Sequence, residues 1–210
     1  ENYNLQDQHA VDFIIQTCND YEGQIYLCAT GPLTNIAMSL QKDSSIAKKI
    51  KEIVFMGGAA MTLGNITPVA EFNIYVDPHA ANIVLNSGIP LVMMGLDVTH
   101  KVNVNDNIIK DIQQNNNISS DFFSALMKFY SKFHRKLYQT DETPLHDPCV
   151  IAYLIDPTIF SGKLANVQVE ENSKLTRGET VVDWYGVTDR QVNCKVITEA
   201  NQINFFALLK

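Results

Sequence analysis

The chain has little of what several function classes require. Its 210 residues contain no run of about eighteen apolar residues, so no spanning helix is expected. Basic residues are outnumbered, 16 Lys and Arg against 23 Asp and Glu, giving a net charge of −7 that disfavours non-specific binding to nucleic acid or an anionic membrane. The cysteines, Cys18, Cys28, Cys149 and Cys194, are scattered and form no C-x-x-C knuckle. They read as reduced thiols, which points to the cytoplasm. There is no G-x-x-x-x-G-K-S/T phosphate loop, no G-x-S-x-G elbow and no H-E-x-x-H pair. No signal peptide and no initiator Met are present, and Glu1 opens close to a helix, so the expectation is of a chain whose beginning is missing or processed away. Internal repeats and linkers are also lacking, which gives a single domain over residues 1–210.

What is present is globular: 46% hydrophobic and 19% charged residues, a mean hydropathy of −0.06, and enough length to bury roughly 70% of the unfolded surface. Short continuous apolar runs at residues 24–29, 53–56 and 90–95 read as buried strands. Between them, helices are expected at residues 34–40 and 77–86, after a first helix at 7–18. Asp77-Pro78 and Asp147-Pro148 both read as helix starts, with Asp at the cap and Pro in the first turn. Helical periodicity continues at residues 105–115, 119–138, 147–155 and 201–209, and residues 164–169, 180–184 and 192–197 alternate like strands. Strand, helix, strand, helix, strand with continuous apolar strands predicts an α/β fold with a mainly parallel sheet covered by helices. Ligands then bind beyond the carboxyl ends of the strands. Polar and glycine residues gather there, at Thr30-Gly31-Pro32, at residues 57–73 and at residues 96–100, and a loop near twenty residues long is usually functional.

Three constellations carry chemistry. Asn65, Glu71 and Asn73 offer donors and acceptors together, which suits a polyol such as a sugar; the alternative is local turn and cap formation. Asp147 reads as a helix cap or as a ligand for a hard cation, with His146 facing the same pocket as a proton donor to a leaving group. The carbonyl of Thr30, at a strand end, can serve such a cation. His9, His79 and His100 read as surface or packing residues.

The blocks ATGPLTNIA, FMGGA, GNITPVAEFNIYVDPHAA and LHDP, in this order, resemble the inosine-uridine-preferring nucleoside hydrolase family, as does TRGETVVDWYG at residues 176–186. The resemblance runs over nearly the whole chain. It implies an α/β fold with a mainly parallel sheet, dimers or tetramers, and hydrolysis of the N-glycosidic bond of ribonucleosides to free base and ribose, serving purine and pyrimidine salvage. It further implies a Ca²⁺ ion holding the nucleophilic water, with Thr30 and Asp147 among its ligands. By the same resemblance Asn65, Glu71 and Asn73 bind ribose, Met56 lies in the pocket, His146 stands near the leaving base, and Tyr138 and His134 line the base side. The family's aspartate cluster, D-x-D-x-G-x-D-D, has no counterpart here, and Glu1 onward matches only after roughly the family's first third. Its first strands should then be absent and a sheet edge exposed. With one carboxylate and one carbonyl left for a cation, the expectation is negligible turnover by these residues alone. The non-enzymatic alternative is a degenerate relative that binds a nucleoside or sugar. A phosphoesterase reading lacks the extra metal ligands and the phosphate nest.

Overall fold

A computed structural model describes residue 5 and residues 7–210, the side chains of residues 133, 135, 137 and 138 excepted. In chain order the elements are α1 (Ala10–Asp20), β1 (Ile25–Ala29), α2 (Thr34–Lys42), β2 (Ile50–Met56), α3 (Phe72–Val76), α4 (Pro78–Leu85), β3 (Leu91–Met94) and α5 (Leu96–Thr99). After these come β4 (Asn103–Val104), α6 (Asp106–Gln113), α7 (Ile118–Tyr138), β5 (Thr143–Pro144), α8 (Pro148–Ile155), β6 (Phe160–Val169), β7 (Thr180–Asp183), β8 (Cys194–Ala200) and α9 (Gln202–Leu209).

The main sheet runs β1-β2-β3-β8-β6-β7. Strands β1, β2, β3 and β8 are parallel, while β6 runs antiparallel to β8, and β7 to β6. The parallel strands alternate their side chains between two cores. Ile53, Phe55 and Met93 enter the core shared with α2 and α4; Val54, Met56, Val92 and Met94 enter the one shared with α6, α8 and α9. Burial on both faces is why β2 and β3 read as unbroken apolar runs. Strand β1, expected to be buried, is corrected: Ile25, Leu27 and Ala29 are half-buried and Tyr26 and Cys28 are exposed, because among the described residues one of its faces has no complete helix layer against it. Strand β1 stands at the sheet edge, with no partner on its outer side among the described residues, and Tyr26 there is exposed.

Two differences from the sequence reading matter for the site. The long loop is interrupted by the single turn α3, capped by Glu71. A two-stranded ribbon, β4 with β5, joins the end of β3 to the start of α8. Two-residue strands are too short to show a period, so sequence alone did not mark them. Leu145 N donates to Val102 O at 2.8 Å, which extends this ribbon and sets His146 in place.

Candidate active site

The parallel strands deliver the site at their carboxyl ends, where open α/β sheets bind ligands. Ala29 is in register with Phe55, so Thr30 and Met56 follow at the same level of adjacent strands. Beyond Met56 the chain turns through Gly57 and Gly58. Gly58 has φ +85°, and a Cβ there would stand 3.0 Å from Met93 Sδ and Thr180 Cγ2, so both the conformation and the space call for glycine.

Glu71 organises the loop beyond this turn. It is 2% exposed, and its carboxylate accepts from Gly58 N at 3.0 Å, from Asn73 N at 3.0 Å and from Ile74 N at 3.4 Å. Burial raises its carboxyl above the usual range; these amides pull the other way, and the Asp147 charge adds to the rise. Oε2 takes three of these contacts and Oε1 one, so Oε1 keeps acceptor capacity. Asn73 Nδ2 donates to Met56 O at 3.0 Å and contacts Met56 Sδ at 3.3 Å, committing its donors and leaving its amide oxygen. Asn65 does the reverse: its Oδ1 accepts from Phe72 N at 2.9 Å, committing the oxygen and leaving the amino group. The reading of Asn73 as the local cap is thus corrected, because Glu71 caps α3.

Asp147 is also corrected as a cap. It precedes α8 with φ −63° and ψ −36°, and makes no side-chain cap hydrogen bond. A capping side chain needs an extended backbone to reach back to the N2 or N3 amide, and these helical angles turn it away. Its carboxyl is raised by burial, and its charge is felt by Glu71. Helix α8 packs against β1 and β2, which brings Asp147 to the ends of those strands.

His146 Nδ1 lies 2.8 Å from Thr99 Oγ1, and its ring meets His100 edge-on with centroids 5.7 Å apart. Burial, then the neighbouring His100 and His134, push its imidazole down to about 4, so it is neutral at neutral pH. His100 is exposed and packs its ring against His146, in keeping with its reading as a surface or packing residue. Its own imidazole is lowered by burial and by His134. His100 and His134 line a pocket of about 240 Å³ with Asn103, Thr140, Glu142 and Pro144. The side chain of Tyr138 lies outside the described residues. A larger hollow of about 760 Å³ opens at the amino ends of β3 and β8 and contains no candidate site residue.

Sequence reasoning missed Asp97 and Thr99. Asp97 is 8% exposed and accepts from Ala60 N at 2.7 Å, Met61 N at 2.8 Å and Thr62 N at 3.1 Å, pinning the loop after β2. Thr180 Oγ1 clamps the same loop, accepting from Ala59 N and donating to Ala59 O. The available signal was the polar stretch at residues 96–100 after a buried strand. Arg177, from the other sequence block singled out, donates to Tyr75 O at 2.7 Å and closes α3.

Among the described residues no group of three or more His, Cys, Asp or Glu side chains could hold a metal ion. The Asp147 carboxylate and the Thr30 carbonyl are hard-oxygen donors, and an exposed carboxylate with no cap bond suits a cation. They fit as part of a cation shell.

A mainly parallel sheet with carboxylates, amides and an imidazole gathered beyond its strand ends defines the class: an α/β protein with a polar crevice at the carboxyl ends of its strands. The chain belongs to the inosine-uridine preferring nucleoside hydrolase family, whose sequence pattern it matches over residues 1–207. It is 45% identical over 202 residues to an uncharacterized protein of Schizosaccharomyces pombe, covering 96% of this chain and 65% of that protein. It is 42% identical over 205 residues to the pyrimidine-specific ribonucleoside hydrolase of Photobacterium profundum, covering 97% and 66%. Among solved structures, a plant nucleoside hydrolase superposes with a TM-score of 0.92 at 31% identity, covering 100% of this chain and 68% of that one. The purine-preferring ribonucleoside hydrolase of Gardnerella vaginalis does so with 0.90 at 33%, covering 99% and 66%. The chain spans about 65% of the length of the curated relatives.

Proposed function

We propose that the chain carries the sugar and leaving-base side of a site that hydrolyses the N-glycosidic bond of ribonucleosides to free base and ribose. The observation that carries this reading is the pairing of two carboxylates of different standing. Glu71 is buried and fully oriented, and the uncapped Asp147 is close enough to raise its pKa. The amino group of Asn65, the Oε1 of Glu71 and the amide oxygen of Asn73 offer a mixed set of donors and acceptors to sugar hydroxyls. Holding the sugar there fixes the attack geometry. Oriented carboxylates beside the sugar stabilise the positive charge that develops as the bond breaks. Met56 borders the sugar, while His146, with His134, faces the base and offers it a hydrogen bond; Tyr138 is assigned to the base side by the resemblance.

In this reading Thr30, through its carbonyl, and Asp147 hold a Ca²⁺ ion, which when bound supplies a water of lowered pKa. Two donors fall well short of the roughly six to eight oxygens that Ca²⁺ takes. The 210 residues by themselves should therefore bind Ca²⁺ weakly and turn over negligibly. A second reading is a relative that binds a sugar or nucleoside without cleaving it. In keeping with the acidic charge and the four free thiols, the protein is read as a cytoplasmic, self-associating protein that binds neither nucleic acid nor membrane. No described helix is long and apolar enough to cross a membrane.

The test is calorimetric titration of the chain with ribose, inosine and uridine, with and without Ca²⁺, alongside a reducing-sugar assay. The sugar-site reading predicts binding that Asn73→Ala and Asn65→Ala weaken about tenfold each. Absence of any binding, or variants that bind as the parent does, would overturn it. Binding that ignores Ca²⁺ with no hydrolysis selects the second reading, and ready turnover by the chain defeats the expected inactivity.

A further inference from the structure

The pairing of His146 with Thr99 decides more than the position of the ring. Thr99 is fully buried, and its hydroxyl, 2.8 Å from His146 Nδ1, has no other hydrogen bond among the described contacts. A threonine hydroxyl carries one proton and can accept as well, whereas a neutral imidazole has one protonated nitrogen and one bare one. If Nδ1 carried the proton, Thr99 Oγ1 would accept it, and the hydroxyl's own proton would be stranded in a dry interior. Donation from Thr99 to a bare Nδ1 leaves nothing unmet on the threonine. It puts the imidazole proton on Nε2, the nitrogen not engaged by Thr99.

We propose that Thr99 is a positioning residue that fixes His146 as its Nε2–H tautomer, so that the imidazole presents a hydrogen-bond donor to its ligand. Two features of the fold hold the pair together. Thr99 ends α5, whose first turn is tied by Leu96 N to Gly58 O at 2.8 Å and by Thr99 N to Gly95 O at 3.1 Å. His146 follows Leu145, which the β4–β5 ribbon anchors to Val102. The hydroxyl and the ring therefore come from separate segments that one turn links, because Val102 N also donates to Thr99 O at 3.2 Å. The inference rests on the reading of this crevice as a ribonucleoside site for its consequence: the ligand atom facing His146 is an acceptor, such as a ring nitrogen or carbonyl oxygen of the base.

The test reads the tautomer directly by long-range ¹H–¹⁵N correlation spectra of the histidine-labelled chain at neutral pH, with His146→Gln assigning the resonance. The expected result is a bare-nitrogen shift at Nδ1 and a protonated-nitrogen shift at Nε2. Thr99→Ser, which keeps the hydroxyl, should preserve this pattern. Thr99→Val, which keeps the shape and removes the hydroxyl, should shift both nitrogens toward a tautomer average. A protonated Nδ1 in the parent chain, or an unchanged pattern in a folded Thr99→Val, overturns the proposal. The measurement needs neither substrate nor cation, so a chain that failed to bind or cleave nucleosides would defeat the proposed function without touching this result.

Discussion

The molecule contains two helices that begin with the same dipeptide, and they use it in opposite ways. At Val76-Asp77-Pro78 the aspartate has φ −144° and ψ 77°, outside the helical region that a following proline disfavours. Its carboxylate is fully employed, accepting from Ala80 N at 3.0 Å and from Thr34 Oγ1 at 2.7 Å, so it caps α4 and ties it to α2. At His146-Asp147-Pro148 the aspartate has helical angles and no side-chain cap bond. Its predecessor also differs: Val76 is a half-exposed apolar residue, whereas His146 is held by Thr99 in a polar crevice. One carboxylate is consumed by the fold and the other is kept available. The dipeptide specifies a helix start in both places; the use of the carboxylate is set by backbone angles that come from elsewhere in the chain.

Glu71 stands between these extremes, since it caps α3 and also belongs to the site. Replacing Glu71 by Ala strands the buried amides of Gly58, Asn73 and Ile74, and should cost about 4 kcal/mol in urea unfolding. A loss below about 1 kcal/mol would show that the carboxylate is not structural.

The next effect concerns His146 and pH. Its folded pKa of about 4 lies below the ordinary value of 6.5, so the unfolded chain binds the proton more readily between those values. The stability associated with the neutral ring is present above pH 6.5 and is lost progressively as the pH falls to 4. The full loss is about 3 kcal/mol. His100 and His134, also lowered, act in the same direction, while Glu71 and Asp147, both raised, oppose it. The effect of His146 is therefore isolated by difference: His146→Gln should flatten the fall in unfolding free energy over this window, and equal slopes for parent and variant would refute the assignment.

Asp77→Ala removes a cap and the Thr34 bond, and should cost about 1–2 kcal/mol. Asp147→Asn should change stability by less than about 0.5 kcal/mol, because no cap is lost, while abolishing whatever Ca²⁺ affinity calorimetry detects. Were Asp147→Asn to cost as much as Asp77→Ala, the contrast between the two helix starts would collapse.

Much of the architecture was legible beforehand for a physical reason. Strands buried on both faces must be apolar throughout, so residues 53–56 and 90–95 announced themselves, and the parallel order followed from the intervening helices. The antiparallel setting of β6 beside β8 was not legible, since alternation does not encode direction. Glu71, Asn73, Asp147 and His146 were named as candidates from residue type and the resemblance. Thr99 and Asp97 were not, because a threonine and an aspartate after a strand have no local mark that separates anchor from surface residue.

The sequence by itself determined the alternation of helices and buried strands, the helix starts at Asp77 and Asp147, and the gathering of amides and carboxylates between residues 65 and 73. These are consequences of local chemistry, in which apolar period, proline geometry and side-chain inventory act within a few residues. The tertiary structure alone decided that Glu71 is dry and Asp147 uncapped, and that His146 meets a hydroxyl 47 residues earlier in the chain. Burial and hydrogen-bond partnership between distant segments are properties of the packed chain. They fix which of two identical dipeptides supplies a side-chain cap to its α-helix and which does not.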